Sequence, residues 1–116
     1  MCLTKTHWLP KISRKPIQVY KIFYNPIDNE LITPYQRQIY EVGETIKSKN
    51  SWIKGIFKNE IEAEGVHAFI RDIVAFVTAR EYFDTYVYLC EIHPFTPYWQ
   101  GDCSNIAASK MIIKKK

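Results

Sequence analysis

The sequence predicts an α+β fold: a mostly antiparallel sheet with one main helix, at about 71–82, packed on one face in two layers. Three observations carry this expectation. Residues 86–92 form an apolar run bounded by Asp84-Thr85 and Pro94, and both of its alternating faces are largely apolar. Such a run suits a central strand. Residues 17–24 alternate as a half-buried strand does, with Ile17, Val19 and Phe23 on one face. Helical spacing of apolar residues is best at Ile70, Ile73, Val74 and Val77, with Phe76 widening that face.

The remaining elements follow in chain order. Pro10 and Pro16 bracket Lys11-Ile12-Ser13-Arg14-Lys15. Proline fixes φ and lacks a backbone donor, so residues 1–16 are expected to be an extended, irregular basic entry. After the 17–24 strand, residues 25–30 carry turn chemistry. Residues 31–35 lead into a second strand over 36–42, which Gly43 stops. Residues 44–47 give a short third strand. Residues 52–57 are apolar but interrupted by Gly55, and read as a loop or edge. Residues 60–63 and 66–69 are short extended pieces separated by Glu64-Gly65. The helix runs from Arg71 to about Tyr82, with Asp72 and Arg80 suitably placed against its dipole. Beyond the 86–92 strand, Trp99-Gln100-Gly101-Asp102 reads as a turn. Residues 106–109 read as a loop or one helical turn, and 110–113 as a last strand.

Composition narrows the function classes. A chain of 116 residues suits a single domain, 1–116, able to bury a core without disulfides or a metal. The net charge is +4. Its excess lies at the ends, in Lys5, Lys11, Arg14 and Lys15 and in the tail 114–116. Such runs are usually solvated ends; a strip that attracts phosphate is the second reading. Eight Tyr, six Phe and three Trp fit a pleated, half-buried surface, and they also offer a stacking surface for bases or sugars. Cys2, Cys90 and Cys103 are odd in number, widely spaced and without a CxxC pair. That argues against a disulfide scaffold or zinc site and for a reducing, cytoplasmic compartment. Cys90 is expected to be a small core residue. Neither an apolar leader nor a run of about 18 apolar residues is visible, so a soluble chain without a membrane partner is expected.

Several short pieces together resemble a group of small proteins from Bacteroidales bacteria and their phages. They are Met1-Cys2-Leu3, Val19-Tyr20-Lys21, Thr33-Pro34-Tyr35, Tyr40-Glu41-Val42-Gly43, Gly65-Val66-His67-Ala68-Phe69, Tyr98-Trp99-Gln100-Gly101 and Ala108-Ser109-Lys110, with Cys90 in an apolar strand. The resemblance spans most of the chain. It implies a compact domain in a bacterial or phage setting, and it implies no reaction.

The candidate site residues are His67, Tyr35, Arg37, Lys110, Ser109 and Trp99. His67 follows a glycine at a sheet-to-helix step, and an imidazole titrates near neutrality. It either faces a ligand or is bonded to backbone or to Glu62 or Glu64. Tyr35 is restrained by Pro34, and Arg37 shares its side of a strand, so a ring and a guanidinium fork could grip a phosphorylated, ring-bearing ligand; Lys21 joins that group. Ser109-Lys110 follows two alanines and could let an anion approach the backbone. Trp99 offers a stacking ring or a lid over the sheet edge. GxSxG and HExxH are absent, and His7, His67 and His93 lack ligand spacing. Asp102 beside Cys103 disfavours a thiolate. The expected function is a binding module for an anionic or nucleotide-like small molecule, without a cofactor. In a phage setting, it could sequester a host defence signal. The alternatives are an ADP-ribosyltransferase-like enzyme using His67 and Glu91, and a protein–protein interaction module for a host protein. An exposed sheet edge would allow a homo-oligomer.

Overall fold

The computed structural model describes residues 3–24, 31–32, 39–48, 56–57, 60–61, 65–80, 85–101 and 104–115. Its elements are β1 (Leu3–Thr4), β2 (Ile17–Tyr24), β3 (Leu31–Ile32), β4 (Ile39–Tyr40), β5 (Thr45–Lys47), β6 (Glu60–Ile61), β7 (Val66–Phe69), α1 (Asp72–Ala79), β8 (Thr85–Ile92), β9 (Tyr98–Gln100), β10 (Asn105–Ala108) and β11 (Lys110–Lys115). The main sheet runs β5-β11-β8-β2-β7-β10-β9, with β3 beside β2 and β4 beside β3. β1 and β6 pair separately. Every pairing among the described residues is antiparallel.

The centre is the β2–β8 ladder, in register from Ile17↔Ile92 to Tyr24↔Thr85. β2 carries the alternation that identified it, and β8, identified as an apolar run, is central as expected. Val19 and Phe23 on β2 and Tyr88, Cys90 and Ile92 on β8 enter the largest core cluster. Phe23 and Tyr88 meet edge to face, with ring centroids 5.6 Å apart, the geometry the ring quadrupoles prefer.

The sheet coils on itself. β10 lies beyond β7 at one side of the centre, and β11 lies beyond β8 at the other. Ser109 alone separates them in sequence, so the two sides must curve until they meet. Ser109 marks the junction: its N–H donates to Pro97 O (3.1 Å) and its carbonyl accepts from Ser48 N–H (3.0 Å). The main core therefore lies inside the coiled sheet, where Val66, Ala68, Ile106, Ala108, Met111 and Ile113 meet Val19 and Cys90. Two smaller clusters cover the outside. Ala75 of α1 packs on Ile22 and Phe69, and Leu3 and Ile61 pack on Trp99 and Ala107.

This arrangement changes several expectations. The architecture is a mostly antiparallel sheet with one small helix, and most of the core lies between parts of the same sheet instead of between two layers. Residues 98–100 form a strand, although 99–102 were expected to turn, and 105–108 form a strand, although 106–109 were expected to be a loop or one helical turn. Alanine has little strand preference of its own, but here small residues are required on both faces. Ala107 lies under the Trp99 ring and Ala108 lies inside the coil. The helix is shorter than expected at Asp72–Ala79, and Ala75 is its buried residue. Ile73 and Val77, expected in the core, are exposed together with Phe76. The face bearing Ala75 approaches the sheet closely, which turns the larger side chains outward. Thr85 Oγ1 donates to Ala79 O (2.7 Å) and satisfies one of the carbonyls left open at the helix end.

Candidate functional site

The glycine–histidine step forms β7. Val66 and Ala68 point into the coiled core, so alternation sends the His67 side chain to the outer face. Its register partner on β10 is Ala107, which pairs in turn with Trp99 on β9. His67 is half-buried, and its Nδ1 is shielded from solvent. The His67 carbonyl accepts a hydrogen bond from Lys21 Nζ at 2.7 Å.

Lys21 is the unusual group of this region. It lies on the inner face of β2 between Val19 and Phe23, opposite Tyr88. Its ammonium stands 5.8 Å from the Phe23 ring centroid. Burial lowers its pKa to about 8, and the nearby Cys90 acts weakly in the opposite direction. Burial likewise pushes the Cys90 thiol up to about 12, which makes it the inert core residue the sequence suggested. Lys21 thus ties β7 to β2 from inside the coil.

Among the described residues, the other expected site residues do not gather around His67. Tyr35 and Arg37 lie outside the described residues, as do Glu62, Glu64 and Cys103. Ser109 has both backbone groups engaged at the sheet junction. Lys110 is exposed on β11 and faces Lys47 of β5 in register. Trp99 is 0% exposed, so it serves as an interior floor and offers neither a stacking ring nor a lid. Glu91 pairs with Gln18 on the outer face and lies 3.6 Å from Lys114. It is two strands across and about four residues along from His67, on the order of 16 Å by strand spacing. The acid and imidazole of the enzyme alternative therefore do not converge.

A different surface brings functional side chains together. The basic entry runs alongside β9 and the turn before it. Thr6 N–H donates to Gln100 O (3.2 Å), and Lys11 and Tyr98 exchange both backbone hydrogen bonds (2.8 and 2.9 Å). Trp99 Nε1 donates to Trp8 O (3.0 Å). His7 is placed by two bonds: its Nε2 accepts from Gln100 N–H (3.1 Å) and its Nδ1 donates to Leu9 O (2.7 Å). Lys5 reaches over the Trp99 ring at 5.0 Å and donates to Trp8 O at 3.1 Å; burial lowers its pKa. The segment covers the β9 edge, a usual way to shield unpaired strand groups.

What this segment displays outward is basic and aromatic. Lys11, Arg14 and Lys15 are exposed, and Trp8 is 67% exposed. Phe95, also 67% exposed, stands beside them because its N–H donates to Ser13 O (2.8 Å). Neither of the two segments carries a carboxylate: the first acid in the chain is Asp28, and none lies between Glu91 and Asp102. Trp8 and Phe95 were not singled out from sequence. The available signal was Pro94-Phe95, a proline followed by a bulky ring in a turn where glycine or asparagine is usual.

No family model, curated protein or solved structure matches the chain. No helix among the described residues is long and apolar enough to cross a membrane, and no cluster of potential metal ligands occurs among them.

Proposed function

We propose that this protein is a non-catalytic binding module for an anionic, ring-bearing ligand of nucleotide type. The observation that carries the reading is the strip in which Lys11, Arg14 and Lys15 accompany the exposed rings of Trp8 and Phe95, with no acid in either of its two segments. Cations supply attraction to phosphate, and flat rings supply a face for a base or sugar. An ordered strip differs from a solvated tail because backbone bonds to β9 have already fixed its course, which reduces the ordering cost of binding. In a phage setting, such a module would suit sequestration of a nucleotide signal.

The ligand class is tested by thermal shift and tryptophan quenching with mononucleotides, cyclic nucleotides and inorganic phosphate. Nucleotides should raise the melting temperature and quench Trp8 more than phosphate does. A flat response in both readouts across the nucleotides would sink the reading.

A protein–protein role has its own support. Ile73, Phe76 and Val77 form an exposed apolar stripe on α1, of a kind that marks contact surfaces. Copurification of a host protein that depends on Phe76 would favour that role.

A further inference from the structure

We infer that the strip binds single-stranded nucleic acid, along several nucleotides, rather than a lone nucleotide. The inference rests on the binding reading above and specifies its ligand. Three features point to it.

The first is the spacing of the rings. Trp8 is held against Trp99 and Phe95 against Ser13. These anchors lie on either side of the Lys11–Tyr98 pair, three residues before and two residues after Lys11 along the entry. The rings are therefore anchored at the two ends of a stretch that carries Lys11, as suits a ligand longer than one base. They can each take a separate base of one strand. Lys11, Arg14 and Lys15 belong to the same extended segment, as the backbone-following cations of single-strand grooves do.

The second is the conformation of Phe95. Thr96 N–H donates to His93 O across the turn (3.3 Å), with Pro94 and Phe95 at its centre. Phe95 has φ = 65°, a left-handed conformation that is an outlier for a bulky side chain. Burial does not compensate for it, because the ring lies in solvent. Glycine would hold the same turn without strain. The ring is therefore displayed at the expense of local stability, which is the mark of a contact residue.

The third is the order of residue types. Leu9 and Ile12 are also exposed, so an anionic lipid surface is the competing occupant. Leu9 and Ile12 are interspersed with a ring and cations along one segment: Trp8, Leu9, Lys11, Ile12, Arg14, Lys15. Interspersed rings and cations fit a ligand in which base and phosphate alternate.

The test is fluorescence anisotropy of a labelled single strand of about 12 nucleotides, within the usual site sizes, as DNA and as RNA. Competition with the matching mononucleotide and sedimentation with phosphatidylserine vesicles form the other arms. The strand should bind at least about 10-fold more tightly than the mononucleotide. Its affinity should fall linearly on a log–log plot against salt, with Lys11→Ala reducing the slope by about 0.7. Phe95→Gly should weaken binding about 10-fold while raising the melting temperature, which separates ring contact from misfolding. If strand and mononucleotide bind equally, the inference fails and the nucleotide reading stands; if neither binds, both fail. Vesicle binding without strand binding would assign the strip to lipid. Unchanged strand affinity in Phe95→Gly would remove the ring from the site and overturn the inference.

Discussion

β7 and the basic entry flank the same two strands, one on each side of the β10–β9 pair, and they use polar side chains in opposite ways. In β7 the polar residue is absorbed into the packing. His67 is half-buried opposite Ala107, its carbonyl is held by Lys21, and its neighbours Val66 and Ala68 fill the core. In the entry, the inner atoms are used for attachment and the outer ones are left in water. His7, Lys5 and the backbone of Trp8 grip β9 and Trp99, while Lys11, Arg14 and Lys15 stay exposed. The lesson is that a chemically capable residue type does not make a site. Availability does, and availability depends on which side of a strand the fold needs.

Breaking the attachment should have the largest effect. Trp99 is the floor of the entry, buried with Leu3, Ile61 and Ala107. Trp99→Ala should destabilise the fold by about 3–5 kcal/mol, the range for deleting a large buried ring, as read by urea unfolding. It should also expose residues 5–15 to limited proteolysis while β7 keeps slow amide exchange. Loss of protection in β7 before the entry is cleaved would show that the two regions are one cooperative unit.

The β7 side can be probed through Lys21. Its folded pKa of about 8 lies below the ordinary 10.5. Between those values the unfolded chain holds a proton that the folded chain has released, so stability rises with pH. Cys90 acts in the opposite sense: its folded pKa of about 12 lies above 9.0, so its contribution is lost as pH rises from about 9 to 12. The window from about 8 to 9 therefore belongs mainly to Lys21. Wild type should gain about 1 kcal/mol on Lys21→Met between pH 7.5 and 9. Parallel urea-unfolding profiles for the two proteins would show that Lys21 is not desolvated at the β7 junction.

The two regions also differ in how far sequence reveals them. β2 is legible from alternation and β8 from an apolar run, both local signals that long pairing then reinforces. β10 is not, since Ala107 and Ala108 become strand residues only once Trp99 and the coiled core demand small side chains on both faces. The helix was located correctly to within a few residues, but its buried face was not. Its apolar residues surround it too evenly, and close approach through Ala75 decided the orientation. His67 was legible as the step between sheet and helix, whereas its packing against β10 depends on contacts some 40 residues away in sequence. In the entry, the cations were visible and their partner was not. Ordering it requires β9, which lies near the other end of the chain.

The smallest expected effect bears most directly on the contrast. Thr96 is 2% exposed, and its Oγ1 finds no hydrogen-bond partner among the described residues. A buried, unpaired hydroxyl is costly, and valine has nearly the same shape. Thr96→Val should raise stability by up to about 1 kcal/mol, read as a higher urea midpoint at unchanged slope. Thr96 adjoins Phe95, whose replacement by glycine is also expected to stabilise. Two stabilising changes at neighbouring positions would describe a turn shaped by something other than folding. In β7 the comparable inward positions, Val66 and Ala68, are already apolar and packed, so the same treatment has nothing to relieve. If Thr96→Val destabilises, the hydroxyl is satisfied in solution and the turn is as well fitted to the fold as β7. The strain at Phe95 would then stand alone as the sign of a displayed contact.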